Sequence, residues 1–194
     1  MVFQMRFAAK LDLRQLIRVP SNRFLRHQYA KTKSVGIVTF SIKQQLFGID
    51  ASIVKEVMPL VTLLKVANLP DFFKGFFRNG KNIVPVIDMR SLCKVNGVDD
   101  IQPKKLIVLQ LKQRLTGIIV DSVGDTVLTS DVKFKPLANH DAVIDYRFLP
   151  ALATTKHYQL LIVDIEELLA DTQMMSMAEL QTLNNSLDLL SDIE

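Results

Sequence analysis

Phe47-Gly48-Ile49-Asp50-Ala51-Ser52-Ile53-Val54-Lys55-Glu56-Val57, followed by Asn68-Leu69-Pro70, Lys74-Gly75 and Ile83-Val84-Pro85-Val86-Ile87-Asp88-Met89-Arg90, is the part of the chain that decides its fold. In order, it holds an aromatic-Gly-Ile-Asp turn, an apolar segment ending in Glu, an Asn-x-Pro turn, a Lys-Gly, and an apolar strand that runs into an arginine. Almost none of this is reactive chemistry. The residues are arranged for burial and for turns.

Working outward, Val38, Phe40 and Ile42 alternate with Thr39 and Ser41, the period-two pattern of a strand with one buried face. Lys43-Gln44-Gln45 turns the chain, and Leu46 to Ile49 reads as the hairpin partner. Ala51 to Val57 has a short helical pattern, with Ile53, Val54 and Val57 on one side and Lys55 and Glu56 on the other. Val61 to Val66 reads as another strand. Ile83 to Ile87 is apolar on both faces, as in a strand held between two layers, and Pro85, which has no N–H to donate, predicts an edge or a bulge there. Leu106 to Leu111 and Leu115 to Val120 form a hairpin around Lys112-Gln113-Arg114, and Leu160 to Ile165 is the last strong strand signal. Many short strands with brief helices predict a mainly β protein. The polar loop Asn96 to Pro103 is the expected place for a boundary or an excursion between its halves.

The chain has 194 residues, of which 48% are apolar, enough for one sizeable domain or two small packed subdomains and too apolar for disorder. No apolar run approaches the ~20 residues of a membrane span. Arg6, Lys10, Arg14 and Arg18 interrupt any signal-peptide core, so a cytoplasmic location is expected. Cys93 is the single cysteine, which excludes an intrachain disulfide and a tetrathiolate zinc site; a buried core thiol is expected.

The net charge of +4 is unevenly spread. Residues 1–34 form a basic arm, with Arg6, Lys10, Arg14, Arg18, Arg23, Arg26, Lys31 and Lys33 against Asp12 alone. Phe3, Phe7 and Ile17 share the sector of its basic stripe, which weakens a membrane-surface helix, and it carries no nucleic-acid motif. After Lys156 the charged residues, His157 aside, are all acids. Residues 171–194 carry Met174, Met177, Leu180, Leu183, Leu187 and Leu190 at intervals of three or four, an acidic amphipathic helix with one apolar stripe. It packs on its own domain or docks another chain.

His27, His140 and His157 lack metal-ligand spacing, and the seven glycines form no phosphate-cradling loop, so no cofactor or metal is expected. Asp121 and Asp125 read as turn acids. A catalytic alternative, a hydrolase or transferase, would need them gathered with His140 or His157 in one pocket.

The opening stretch, Arg114 to Asp125 with its glycine before an apolar run and its Asp-x-Val-x-Asp ending, and Leu160 to Leu169 as closing strand and helix, together resemble the chemotaxis coupling protein family, CheW, over residues 36 to 170. The resemblance implies two SH3-like five-stranded β-barrel subdomains side by side, sharing an apolar seam, within a domain spanning residues 35–170. It implies a non-catalytic adaptor that couples the cytoplasmic tips of chemoreceptors to the regulatory domain of a CheA-type histidine kinase, with the membrane reached only through the receptors. A scaffold for a pilus, gliding or other chemosensory-like pathway is the alternative. Glu56 stands at an acid near the family's receptor-binding surface; Val84, Val86 and Gly117 match strand positions near the groove or barrel interface, where a core role suits the two valines better. From Gly75 to Pro85 the chain keeps the interval of the family's Gly-x-x-Asn-Leu-Arg-Gly-x-(Ile/Val)-(Val/Ile)-Pro, but Arg78, Gly80 and Lys81 replace its Asn, Arg and Gly. Phe148-Leu149-Pro150-Ala151 likewise occupies a region where the family places glycines.

Overall fold

A computed structural model describes residues 34–65, 70–92, 104–112, 114–137 and 148–171. Its strands are β1 (Gly36–Ile42), β2 (Gln45–Asp50), β3 (Val54–Pro59), β4 (Phe73–Asn79), β5 (Asn82–Asp88), β6 (Lys105–Leu111), β7 (Arg114–Val120), β8 (Ser122–Leu128), β9 (Lys133–Pro136), β10 (Ala151–Thr154) and β11 (Gln159–Ile162). Helix α1 (Met89–Leu92) follows β5 and α2 (Ile165–Asp171) follows β11. The basic arm, Cys93, His27, His140 and the segment after Asp171 lie outside the described residues. Among those described, no helix is long and apolar enough to cross a membrane.

The strands form two sheets. The central sheet, in the order β3-β6-β7-β5-β4, uses residues 54 to 120; the terminal sheet, β8-β1-β2-β11-β10-β9, joins the first hairpin to the last strands. Both must curl. The Leu60 N–H donates to the Lys104 carbonyl beside β6, and Leu64 exchanges both backbone bonds with Phe76 on β4. In a flat sheet those places would lie about 24 Å apart at ~4.8 Å per strand, whereas four residues span at most about 14 Å. The edges therefore come round to meet. Leu128 of β8 and Lys133 of β9, on opposite edges of the terminal sheet, are likewise joined only by Thr129–Val132. The expected pair of small β subdomains is present, with five strands in one and six in the other.

Alternation sorts the apolar residues into three clusters. Phe77, Val84, Val86, Leu106, Val108 and Ile119 fill the central sheet's interior, and Ile37, Val132, Ala151, Ala153, Leu160 and Ile162 fill that of the terminal sheet. Between the sheets lies the apolar seam, where Val38, Phe40, Phe47 and Ile49 meet Ile87, Ile107, Leu109 and Ile118, capped by Met89, Phe148, Leu149, Ile165 and Leu168. Phe148 and Leu149, which stand where the family's glycines were expected, are buried here.

Four expectations change. Ala51 to Val57 is a 3-10 turn (Ala51–Ile53) followed by strand β3, not one helix. Of the strand expected at Val61 to Val66, the described residues 61–65 form one isolated bridge, Leu64 to Phe76, because this segment crosses between sheet edges instead of joining a ladder. Pro85 sits in an interior strand, between β4 and β7. Counting from the Asn79–Asn82 pair, Pro85 opposes Phe76 at a position whose nitrogen faces away from β4, and pairing with β7 starts only at Val86, so no ladder bond is lost. The chain changes sheets at Asp50–Val54 and at Asp121, and β5 and β6, before and after the undescribed residues 93–103, belong to the same sheet, so the boundary between the halves does not fall at Asn96–Pro103.

Candidate functional site

The described charged residues inside the fold are committed to holding it. Asp121 lies where the chain crosses from β7 to β8. Its Oδ1 accepts from Arg90 Nε at 2.7 Å and from a terminal guanidinium nitrogen of the same arginine. Oδ2 accepts the backbone N–H of Lys43 in the β1–β2 turn, and the Asp121 N–H donates to the Ser41 carbonyl at 3.0 Å. The two side chains are only 9% and 12% exposed. One carboxylate thus ties α1 of the central subdomain to the first hairpin of the terminal one. Asp88 accepts the Arg90 backbone N–H at 3.0 Å, with Lys74 Nζ 3.9 Å away.

Among the described residues, no catalytic arrangement forms around these acids. Asp121 is engaged by Arg90, Asp125 is exposed on edge strand β8, and His157 is exposed in the β10–β11 turn, with β1 and β2 lying between β8 and that hairpin. Among the described residues no three of His, Cys, Asp and Glu gather as a metal site.

The surface that stands out is apolar. Val57 is 43% exposed, Leu60 37% and Leu64 52%, all on β3 and the segment leaving it. Their neighbours Met58, Val61 and Leu63 pack into the central sheet's interior, so the chain alternates and turns the three exposed side chains outward. Glu56 is exposed on the same edge strand, just after a bulge between Val54 and Glu56. The antiparallel bridge from Leu64 to Phe76 directs residues 63 to 60 toward the β4–β5 turn, which carries exposed Arg78, Gly80 and Lys81. Sequence candidates some 25 positions apart therefore share one edge of the central barrel.

Gly75 makes that edge possible. Its φ is +129°, and a Cβ there would lie 2.2 Å from the Leu64 carbonyl oxygen. Only glycine lets the crossing segment bond to Phe76 at this distance. At the hairpin tip, Gly80 has φ +60° with open space around it, the hand a two-residue turn requires. Lys43 and Lys112 adopt nearly the same φ, 55° and 53°, at the first loop position of their own hairpins. The Arg-Gly of the family's turn is thus transposed to Gly-Lys: the glycine takes the first position and the cation the second.

Val84 and Val86 are fully buried and Gly117 is buried beside them. A Cβ on Gly117 would come 3.0 Å from Leu106 and 3.2 Å from Val86. These three pack inside the barrel and shape it. The exposed Val57, Leu60 and Leu64, by contrast, were not among the sequence candidates. Without the fold they look like ordinary core residues.

The CheW-like domain model matches residues 36–173. The chain belongs to the CheW-like domain family. It is 32% identical over 135 residues to the chemotaxis protein CheW of Klebsiella aerogenes, a match covering 70% of this chain and 81% of the relative. It is 19% identical over 137 residues to a probable chemotaxis protein CheW of Rhizobium etli, covering 71% and 88%. Among solved structures it is similar to the scaffolding protein TtCheW of Thermoanaerobacter tengcongensis, with a TM-score of 0.62, 25% identity, and 70% and 92% of the two chains covered.

Proposed function

We propose that this chain is a non-catalytic cytoplasmic adaptor that couples the tips of chemoreceptors to the regulatory domain of a CheA-type histidine kinase. The observation that carries the reading is the outward strip Val57, Leu60 and Leu64, with Glu56 on one side and the Arg78–Lys81 turn on the other. Apolar side chains ringed by charges are what a protein-docking surface consists of. Signal then passes as a coupling free energy between docked surfaces, with no bond made or broken. The membrane is reached only through the receptors, and nucleic acid has no part.

The test is complex formation between the full chain and a cognate kinase regulatory domain, in the absence of nucleotide and metal. Binding in the micromolar to submicromolar range is expected of an interface this modest. In the three-component assembly with receptor, Leu64→Asp weakens association at least tenfold, because a charge enters the desolvated centre of the interface. No binding to any CheA-type regulatory domain from the source cell refutes the reading.

The transposed Gly80-Lys81 turn supports the second version, a scaffold in a pilus or gliding pathway whose receptor contact differs. Restoring an arginine by Gly80→Arg separates the two. It strengthens assembly with chemoreceptors only if the contact was lost.

A further inference from the structure

The strip on β3 has neighbours that select its occupant. Lys55 precedes Glu56, Lys65 follows Leu64, Lys81 is at the adjoining hairpin tip, and Lys105 is paired opposite Pro59. An apolar strip with a mostly cationic rim fits an apolar helix with acidic flanks. Residues 172–194 of this chain have that composition: Met177, Leu180, Leu183, Leu187 and Leu190 at helical spacing, with Glu179, Asp188, Asp192 and Glu194 and no lysine or arginine. The other terminal segment, residues 1–33, is basic and is opposed by the same lysines.

Helix α2 buries Ile165 and Leu168 in the seam cluster, against which Ile53 and Val54, at the start of β3, also pack. Residues 172–194 as a helix would be about 35 Å long, close to the ~37 Å diameter of a domain of this size.

We propose that residues 172–194 dock as an amphipathic helix on the Val57-Leu60-Leu64 strip of the same molecule. The docking stands on exposure, spacing and charge. Its regulatory consequence rests on the function proposed above: the tail is an internal competitor that a receptor must displace, so the adaptor binds more weakly with its tail docked than with it released. Removing the stripe from water together with the strip supplies the apolar driving force, and the lysine rim sets orientation.

Peptide-resolved amide hydrogen exchange on the full-length chain, with no partner present, tests the docking separately from any kinase or receptor. In the double variant Leu183→Asp/Leu187→Asp, exchange across residues 54–65 rises roughly tenfold, while β6 and β7 remain protected and report an intact fold. Reciprocally, Val57→Asp/Leu64→Asp speeds exchange across residues 177–190. Unchanged exchange on both sides overturns the proposal. So does protection that grows with protein concentration, which would place the tail on a second copy. Binding of the kinase domain by a chain that fails this test would leave the function standing without the tail.

Discussion

Replacing Asp121 by alanine removes the carboxylate that receives two N–H groups of Arg90 and the backbone N–H of Lys43. The pair is nearly buried, so the guanidinium loses its counter-charge in a place that water scarcely reaches. Breaking a buried ion pair from one side costs about 3–5 kcal/mol, and Arg90 retains enough exposure and other contacts to place this case near the lower figure. At roughly 2–4 °C per kcal/mol for a domain of this size, Asp121→Ala should lower the melting temperature by about 6–12 °C. Asp121→Asn keeps an acceptor for Lys43 and should lose less. The double variant Arg90→Met/Asp121→Leu should recover most of the loss, because what is costly is the unpaired charge and not the absence of the bridge. Thermal melts of the four proteins, checked by urea titration, test this ranking. A loss below about 1 kcal/mol for Asp121→Ala would refute the reasoning, since it would mean that the pair behaves like a solvated surface bridge.

Gly75→Ala should destabilise by about 3 kcal/mol or more, since the new methyl would clash with the Leu64 carbonyl and hold a disfavoured φ; chemical denaturation measures it. Gly80→Arg should cost only about 1 kcal/mol, the penalty of a left-handed residue in open space, and a larger melting shift would show that the turn cannot accept it. Arg78→Ala and Lys81→Ala should leave stability nearly unchanged, yet weaken receptor-kinase assembly and reduce its salt dependence. Binding like that of the parent at two salt concentrations would show that neither cation replaces the family's arginine.

Residues whose environment is set by near neighbours were legible in the sequence. The Leu106–Val120 hairpin and strand β1 appear where they were read, and the family resemblance led to the paired subdomains; β1, however, buries Ile37 and Thr39 as well as Val38, Phe40 and Ile42, because it stands between two cores instead of facing water on one side. The Ala51–Val57 segment misled for a local reason: the bulge between Val54 and Glu56 shifts the alternation by one, so apolar residues at 53, 54 and 57 imitate a helical spacing. Strands β9 and β10 are too short for their period to register. The apolar strip was illegible because exposure depends on which edge a strand occupies. Val57 and Val108 look alike in sequence, but β3 ends the order while β6 lies inside it. Arg78 and Lys81 were identified by comparison with a motif, and only the turn geometry showed that glycine and cation had exchanged places.

The terminal sheet is made from both ends of the described domain, with the whole central sheet inserted between them. During synthesis this imposes a schedule. Residues 54 to 120 can pair among themselves as soon as they emerge, whereas Phe47 on β2 must wait for Leu161 on β11. At translation rates of 5–20 residues per second, that wait is on the order of ten seconds. For that time the β1–β2 hairpin has Phe40, Phe47 and Ile49 ready for the seam but lacks β11 beside β2. The nascent chain is thus most exposed to chaperones and proteases at its first hairpin, although that hairpin ends up among the most deeply buried parts of the finished protein.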